Sequence, residues 1–511
     1  MLTPKTIPFK HQARETERFL RAGAFALHWE QRCGKTKAII DITANRFAMS
    51  LIDALLVLAP NGVHRNWATE EIPTHMPDSI PHITLVWRSG KAGSKSFQAQ
   101  FDKLLSTNQL AILCVNVEAI ITDKCKKALG QFLRRRKVFM VVDESTTIKT
   151  PGAKRTKVAL AAGGYAAYRA ILDGTPNTES PLELYAQYKF LDRKILGFDS
   201  FYPFRARYAI VTQGYDPRSG RSYDNVVGYR NVEELTERIA PYSSRVTRAE
   251  VFGECPKTYT KRFYEMSPEQ RRVYNDLRET FLSQLTDGNL LSAQMVLVRY
   301  LRYQQILSNY APGSVTVTPC PSCSGQDIAC EACDGIGSIA TPAPKPSIID
   351  THCNPRLDAL EEELSSSNVP TIVWCRFTHE IESVLALASK LKKNARRYDG
   401  QSTGDEDVVT RKAFAWKSPP DGADWIVANA QKGARGIDLS RARLHVFYSN
   451  HFSLRLRLQA EDRTEHPMKR EPTDVVDIVA EDTIDEIIVK SFREKCALSD
   501  LIMGDPKRTW I

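Results

Sequence analysis

Four short apolar runs in the first third of the chain return as four more in the last third, and this repetition limits the fold more than any other feature. LLVLAP (Leu55 to Pro60), AILCVNV (Ala111 to Val117), VFMVVDE (Val138 to Glu144) and YRAILDGTP (Tyr168 to Pro176) are each bounded by polar or turn residues. Uninterrupted Val, Ile and Leu over such lengths suit strands buried on both faces of a parallel sheet, with the longer helical patterns between them as crossovers. TIVWCRF (Thr371 to Phe377), DWIVANA (Asp424 to Ala430), RLHVFYSN (Arg443 to Asn450) and VVDIVAE (Val475 to Glu481) repeat the arrangement. The expected fold is α/β, with two doubly wound parallel-sheet lobes of similar kind.

Between the lobes the pattern turns helical. SPEQRRVYNDLRETFLSQL opens with Ser267 as N-cap, Pro268 in the first turn and Gln270 three residues past the cap, which is a capping-box start. A second helix is expected over Leu290 to Tyr310. QGYDPRSGRSYDNVV (Gln213 to Val227) is polar and turn-rich, so it reads as a hairpin or loop insertion. The expected division is a first lobe at 1–195, a helical and loop insertion at 196–310, a small module at 311–346 and a second lobe at 347–511.

With 511 residues the chain has room for two to four domains. No apolar run approaches the ~18 residues of a membrane span, and the opening MLTPKTIPFKHQ lacks the apolar core of a signal peptide. A cytoplasmic protein is expected, in the host cytoplasm if it is viral. Lys and Arg outnumber Asp and Glu by 70 to 60, a balance that suits a polyanionic partner without requiring one. The basic clusters LRRRK (Leu133 to Lys137) and KKNARR (Lys392 to Arg397) read first as solvated helix ends. Of eleven cysteines, seven stand singly (Cys33, Cys114, Cys125, Cys255, Cys353, Cys375, Cys496) and read as reduced residues.

HWEQRCGKTKAII (His28 to Ile40) looks like a phosphate-binding loop with a piece missing. Gly34, Lys35 and Thr36 are present, but Trp29 stands where the stricter pattern has its first Gly. A bare Gly-Lys-Thr arises by chance too easily to prove a site, so context decides. About a hundred residues later VFMVV ends in Asp143 and Glu144. Adjacent carboxylates at the end of a buried strand suit Mg²⁺-nucleotide hydrolysis, the first holding the metal and the second activating water.

The order of motifs resembles a superfamily 2 helicase-type motor, and within it the Swi/Snf-like ATPases, from about Phe9 to about Lys495. Phe9-Lys10-His11-Gln12 resembles the adenine-reading Q motif, LVLAPNGVHRNWATEE a "vaP…nW..E" motif and DESTTIK the DEAHxxK box. ILDGTPNTESPLELYAQYKFL is similar to "LTGTPxxNxxxELxxxxxFL", RIAPYSSRVTRAEV to "pfxLRRxKxdV", and YEMSPEQRRVYNDL to "vxMsxxQxxxYxxL". RYDGQSTGDEDVVTRKAFAW, QKGARGIDLSRARLHVFYSN, QAEDR and DTIDEIIVK follow in the family's order.

The resemblance implies two RecA-like lobes closing on ATP. It implies catalytic roles for Lys35, Asp143, Glu144 and Arg463, with Thr36 and Asp143 on Mg²⁺. Gln12, Arg32, Gly34, Lys35, Thr36, Lys37, Gly436 and Asp438 are the implied nucleotide contacts. Pro60, Arg65, Arg376, Gly433 and Arg435 are the implied nucleic-acid contacts, while Gly174, Thr175 and Gln459 would couple the two sites. The chain departs from the family at Arg32, where the loop's middle Gly is expected, at Asp173 for Thr, at Ser145-Thr146 for Ala-His, and at His466 for a second arginine that serves as a finger on the γ-phosphate. Lys469 or Arg470 is a candidate to reach in instead. Arg32 is expected either to point away from the phosphates or to contact one.

The remaining cysteines, Cys320-x₂-Cys323 and Cys330-x₂-Cys333, form two knuckles each trailed by Gly. Four thiolates so spaced favour tetrahedral Zn²⁺ over an iron–sulfur cluster, and they resemble DnaJ-type zinc modules. Such a module is either a structural staple or a contact for DNA or a protein partner.

The function these features imply is an ATP-dependent translocase on double-stranded DNA without sequence preference, acting as a monomer. The alternatives are a strand-separating DNA or RNA helicase and a nucleotide-gated DNA-binding scaffold with little turnover. The frame shows no bromodomain-, chromodomain- or nuclease-like extension, so a prokaryotic or viral member is expected.

Overall fold

The computed structural model describes residues 1–503 apart from 177–178, 217–220, 254–256, 287–292, 312–316, 320–337, 341–346, 366, 403–408, 411, 417–421, 434–437 and 467. The apolar runs of the first third are parallel strands. They are β2 (Ala54–Ala59), β4 (Leu110–Asn116), β5 (Val138–Asp143) and β6 (Tyr168–Leu172), and β1 (Ala24–Trp29) and β3 (His82–Val86), outside the four runs, join them in the same sheet. An antiparallel hairpin, β7 (Ala209–Asp216) with β8 (Arg221–Tyr229), follows where the polar insertion was expected. The chain then returns to the first sheet as β9 (Ser243–Val246), giving the order β3-β4-β2-β5-β6-β1-β9.

β2 shows why these residues fold this way. Leu56 and Leu58 point into one core with Leu113, Val115 and Met140, while Leu55 and Val57 point into the other with Ile112, Cys114 and Val141. Each such side chain contributes ~1.5–3 kcal/mol by leaving water. A central strand must therefore be apolar at every position.

β10 (Lys257–Tyr264) begins the second sheet. Two small antiparallel pairs follow, β11 (Tyr310–Ala311) with β14 (Ser347–Ile348) and β12 (Val317–Pro319) with β13 (Ser338–Ala340). β15 (Thr371–Cys375), β16 (Ala395–Tyr398), β17 (Trp425–Asn429), β18 (Leu444–Phe447) and β19 (Thr473–Ala480) complete a parallel sheet ordered β10-β19-β18-β15-β17-β16. Two further cores cover its faces, one around Val373, Val427 and Val446, the other around Trp374, Ile426 and Phe447.

The structure departs from expectation at the edges. Residues 196–310, expected as an insertion, supply β9 to one sheet and β10 to the other. SSRV is short and KTYTKRFY alternates in burial, as edge strands do, so neither carries the continuous apolar signal. KKNARR is likewise not only a helix end, because Ala395 to Arg397 run into β16 at the opposite edge. The helix at Pro268–Thr286 starts on the expected box: Gln270 N–H donates to Ser267 Oγ at 3.3 Å and Ser267 N–H to Gln270 Oε1 at 3.1 Å.

The last helix, Ile484–Met503, straps the lobes together. Ile484, Ile488 and Phe492 lie in the second lobe's core, whereas Ile502 lies in the first lobe's and its carbonyl accepts from Thr236 Oγ1 at 3.3 Å. Among the described residues, no helix is long and apolar enough to cross a membrane.

Candidate functional site

Both sheets present their C-terminal strand ends to a common cleft, where open parallel sheets place ligands. β1 ends at Trp29 and the chain turns through Arg32 and Gly34, both left-handed at φ 65° and 78°, into the helix Lys35–Ala48. A Cβ at Gly34 would lie 2.0 Å from Nε2 of Gln12, so another residue there would displace that side chain as well as strain the left-handed turn. Arg32 makes the other left-handed turn, at about 1–2 kcal/mol against a glycine. Its guanidinium crosses to the second lobe, with Nη2 2.9 Å from Asp438 Oδ1 and 3.5 Å from the carbonyl of Arg463.

Gln12 ties the first helix to the loop, accepting from Phe9 N–H at 2.7 Å and donating to the Gly34 carbonyl at 3.0 Å. Lys35 Nζ donates to the carbonyls of Trp29 at 2.6 Å and Glu30 at 3.2 Å. Thr36 is half-buried in the first turn. Lys37, expected at the nucleotide, is instead buried and paired with Asp41 one turn along, where helix geometry brings i and i+4 together.

Asp143 closes β5. Its Oδ2 accepts from Trp67 Nε1 at 2.9 Å, and its Oδ1 from Glu144 N–H at 3.0 Å. Burial and then the charge of Glu144 push the Asp143 carboxyl up to about 7. Hard oxygens on Asp143 and Thr36 fit Mg²⁺, whose charge offsets both effects.

Glu144, at φ 52°, turns toward the other lobe. Its Oε2 accepts from Arg455 Nη2 at 2.7 Å and from Gln459 Nε2 at 3.3 Å. Both donors sit one turn apart on the helix Leu454–Asp462, and Arg463 follows directly after it. Burial draws the Arg463 guanidinium below its ordinary value, with the charge of Glu144 opposing. Asp173 is buried and accepts from the backbone N–H of Thr146 and of Thr175, each at 2.9 Å. Its Oδ2 also lies 3.9 Å from Arg455 Nη2. The departures at Thr146 and Asp173 therefore form one joint between the acid box and the Asp-Gly-Thr turn. Gly174 packs where a Cβ would meet the Trp29 carbonyl at 3.3 Å.

His466 is stacked on Trp416, ring centroids 4.5 Å apart and planes 7° from parallel, and its Nδ1 accepts from Met468 N–H at 3.1 Å. Burial, followed by the charge of Arg32, lowers its pKa. Lys469 does not reach the site either. It is buried, donating to the carbonyls of Ala442 at 2.6 Å and Thr464 at 3.2 Å. Asp438 is held below the usual carboxylate range despite burial by Ser440 and Arg32.

Of the expected nucleic-acid contacts, Pro60 is buried at the end of β2 and Arg65 is exposed on the short helix Val63–Asn66 that follows. Arg376, just past β15, stacks 4.4 Å from the Phe452 ring centroid and hydrogen-bonds Gln304. It lines a cleft of about 290 Å³ with Asn429, Gln431, Ser449 and His451, and an adjoining one of about 410 Å³ that Glu179 of the first lobe completes. Gly433 closes the helix Ala430–Gly433. Arg435, Gly436, Cys320, Cys323, Cys330 and Cys333 lie outside the described residues; among those described, no group of three or more His, Cys, Asp or Glu side chains is placed to hold a metal ion.

Sequence reasoning missed Trp67 and Arg455. Their signals were present: Trp67 belongs to the "nW..E" motif, and Arg455, Gln459 and Arg463 recur every fourth residue, which on a helix makes one stripe.

The chain matches the SNF2-related domain over residues 17–309 and the helicase conserved C-terminal domain over residues 355–466. It is 22% identical over 486 residues to a chromodomain-helicase-DNA-binding protein 1-like of Danio rerio, covering 93% of this chain and 41% of that one. It is 23% identical over 395 residues to a Caenorhabditis elegans homologue of SWI/SNF-related matrix-associated actin-dependent regulator of chromatin subfamily A-like protein 1, covering 76% of this chain and 49% of that one. The chain thus spans less than half the length of these curated relatives. Among solved structures it is loosely similar to the Sulfolobus solfataricus SWI2/SNF2 ATPase core in complex with dsDNA, at 18% identity over 98% of this chain and 94% of that one, with a TM-score of 0.40.

Proposed function

This chain belongs to the SNF2-related family, and from that membership we propose that it is an ATP hydrolase that translocates on double-stranded DNA. The observation that carries the reading is Glu144 of the first lobe meeting Arg455 and Gln459 of the second at 2.7 and 3.3 Å. A site shared between lobes is complete only when they close, which is how hydrolysis becomes motion.

In this reading Lys35 and the amides at the start of its helix hold the β- and γ-phosphates, and Thr36 and Asp143 hold Mg²⁺. The ion supplies charge neutralisation at the phosphates. Glu144 orients the attacking water and takes its proton, and Arg463 approaches from the second lobe. Gly174 and Thr175, joined to the acid box through Asp173, transmit closure, with Gln459 answering from the other side. Arg376 and its neighbours grip phosphates of the DNA backbone, and such contacts carry no sequence information.

We further propose that Cys320, Cys323, Cys330 and Cys333 hold one Zn²⁺. Their spacing supports this, and β12 and β13 pair immediately before and after the segment that carries them. The module is the surface proposed for a protein partner, and the motor is proposed to work as a cytoplasmic monomer.

Steady-state ATP hydrolysis with duplex DNA, single-stranded DNA and RNA, joined to displacement of a triplex-forming strand from a duplex, tests the reading. Duplex stimulation with triplex displacement is expected. Stimulation by single strands alone, with duplex unwinding, would instead identify a helicase, and no stimulation by any of them would remove the motor.

A further inference from the structure

In the second lobe, three positions besides Arg463 are candidates to face the γ-phosphate, and of these Arg470 turns its Nη1 back to the Lys469 carbonyl at 3.1 Å. His466 is stacked on Trp416, and Lys469 is buried on two carbonyls. Another cation stands at the site. Arg455, in the first turn of the helix Leu454–Asp462, places Nη2 2.7 Å from Glu144 Oε2 and 3.9 Å from Asp173 Oδ2. Its Nε is buried and has no hydrogen-bond partner among the described residues, so the guanidinium has a donor to spare.

We propose that Arg455 is the second-lobe cation that meets the γ-phosphate of ATP during hydrolysis, the task His466 cannot perform. The inference rests on the reading of Glu144 as the base. A base lies about 3 Å from the water it activates, and that water about 3 Å from phosphorus. A guanidinium bonded to Glu144 is therefore one side-chain swing from the γ-phosphoryl oxygens. In the reaction, water's oxygen bonds to the γ-phosphorus and Glu144 takes its proton. The bond to the bridging oxygen breaks, ADP leaves with the electron pair, and Arg455 offsets the charge on the transferring oxygens.

Asp173 gives the arrangement a second function. A buried carboxylate in the position of a threonine holds the guanidinium beside the acid box through electrostatic attraction, so that lobe closure delivers it already aimed. Arg455 and Gln459 thus act as one face of a helix directed at a single carboxylate, with Arg463 following at the helix end.

The experiment compares wild type, Arg455→Ala and Arg455→Lys at saturating duplex DNA. Arg455→Ala is expected to lower kcat by at least about 100-fold, since a finger can supply 10³-fold or more, with KM for ATP changed less than about threefold. Arg455→Lys is expected to recover part of the loss. Wild type is expected to trap ADP with aluminium fluoride, a mimic of the transferring phosphoryl group. Arg455→Ala is expected not to trap it, while still binding a non-hydrolysable ATP analogue with unchanged Kd, which also shows that the variant is folded. An Arg455→Ala rate within about threefold of wild type overturns the proposal, as does a rise in its DNA-free rate, which would make Arg455 a brake on Glu144. A wild type that hydrolyses ATP under no condition overturns the family-based reading itself and this proposal with it, so the two failures are told apart.

Discussion

Arg32 on the loop of the first lobe and Asp438 of the second are joined by an ion pair, Nη2 to Oδ1 at 2.9 Å. The expectation for Arg32 was set in terms of phosphates, and in the structure its partner is the other lobe. A partly exposed pair of this kind is worth no more than about 1 kcal/mol, enough to bias closure but not to hold it. Glycine keeps the left-handed turn without strain. Arg32→Gly should therefore leave ATP affinity within about threefold of wild type and lower the closed population seen by fluorescence transfer between labels on the two lobes. A tenfold loss of affinity would show instead that Arg32 contacts a phosphate.

Trp67 fixes Asp143 through one indole hydrogen bond of 2.9 Å. Partners behind a metal ligand typically carry 10–100-fold in metal affinity. Trp67→Phe should raise the Mg²⁺ concentration for half-maximal hydrolysis by about tenfold, with nucleotide binding in the absence of Mg²⁺ unchanged. An unchanged Mg²⁺ requirement would leave Trp67 with packing alone.

His445 predicts an acid-sensitive fold. Its Nδ1 accepts from Trp374 Nε1 at 3.1 Å, and an indole only donates, so the neutral ring carries its proton on Nε2 toward Thr464 Oγ1 at 2.8 Å. Burial, then Lys257 and Lys469, hold its pKa well below the usual value. Burial sets His28 to about 4 in the same direction. The unfolded chain takes these protons near pH 6.5 and the folded chain does not, so stability is full above that pH and declines as pH falls through it, by up to ~1.4 kcal/mol per unit for each histidine. Melting temperatures at pH 7.5 and 5.5 should differ less in His445→Gln, which can keep both hydrogen bonds uncharged. An equal difference would remove His445 from the account.

The terminal helix couples the lobes by packing. Ile502, buried in the first lobe's core, should cost ~2–5 kcal/mol when cut to alanine. Because Phe492 on the same helix stays in the second core, Ile502→Ala should separate a single thermal transition into two, read by calorimetry. One shifted but undivided transition would show that the cleft contacts alone couple the lobes.

What was legible in the sequence follows physical signal strength. Central strands such as LLVLA and VFMVV must be apolar throughout, and each was read within a residue or two. Edge strands need no such run, so SSRV, KTYTKRFY and ARRY were passed over. Gly34, Asp143 and Glu144 were legible because their chemistry allows few alternatives. Arg455 was not, because its role depends on a carboxylate 311 residues away, a juxtaposition that only closure of the lobes creates. Lys37 misled for the opposite reason: its place beside the loop suggested a contact, and one turn of helix gave it Asp41.

The role of Glu144 is decided by the rate of ATP hydrolysis with saturating duplex DNA in wild type and in Glu144→Gln, which keeps the size of the side chain but cannot take a proton. Hydrolysis is expected to depend on DNA in wild type and to fall by at least about 100-fold in the variant, with ATP affinity preserved. Equal rates in the two proteins would contradict that role.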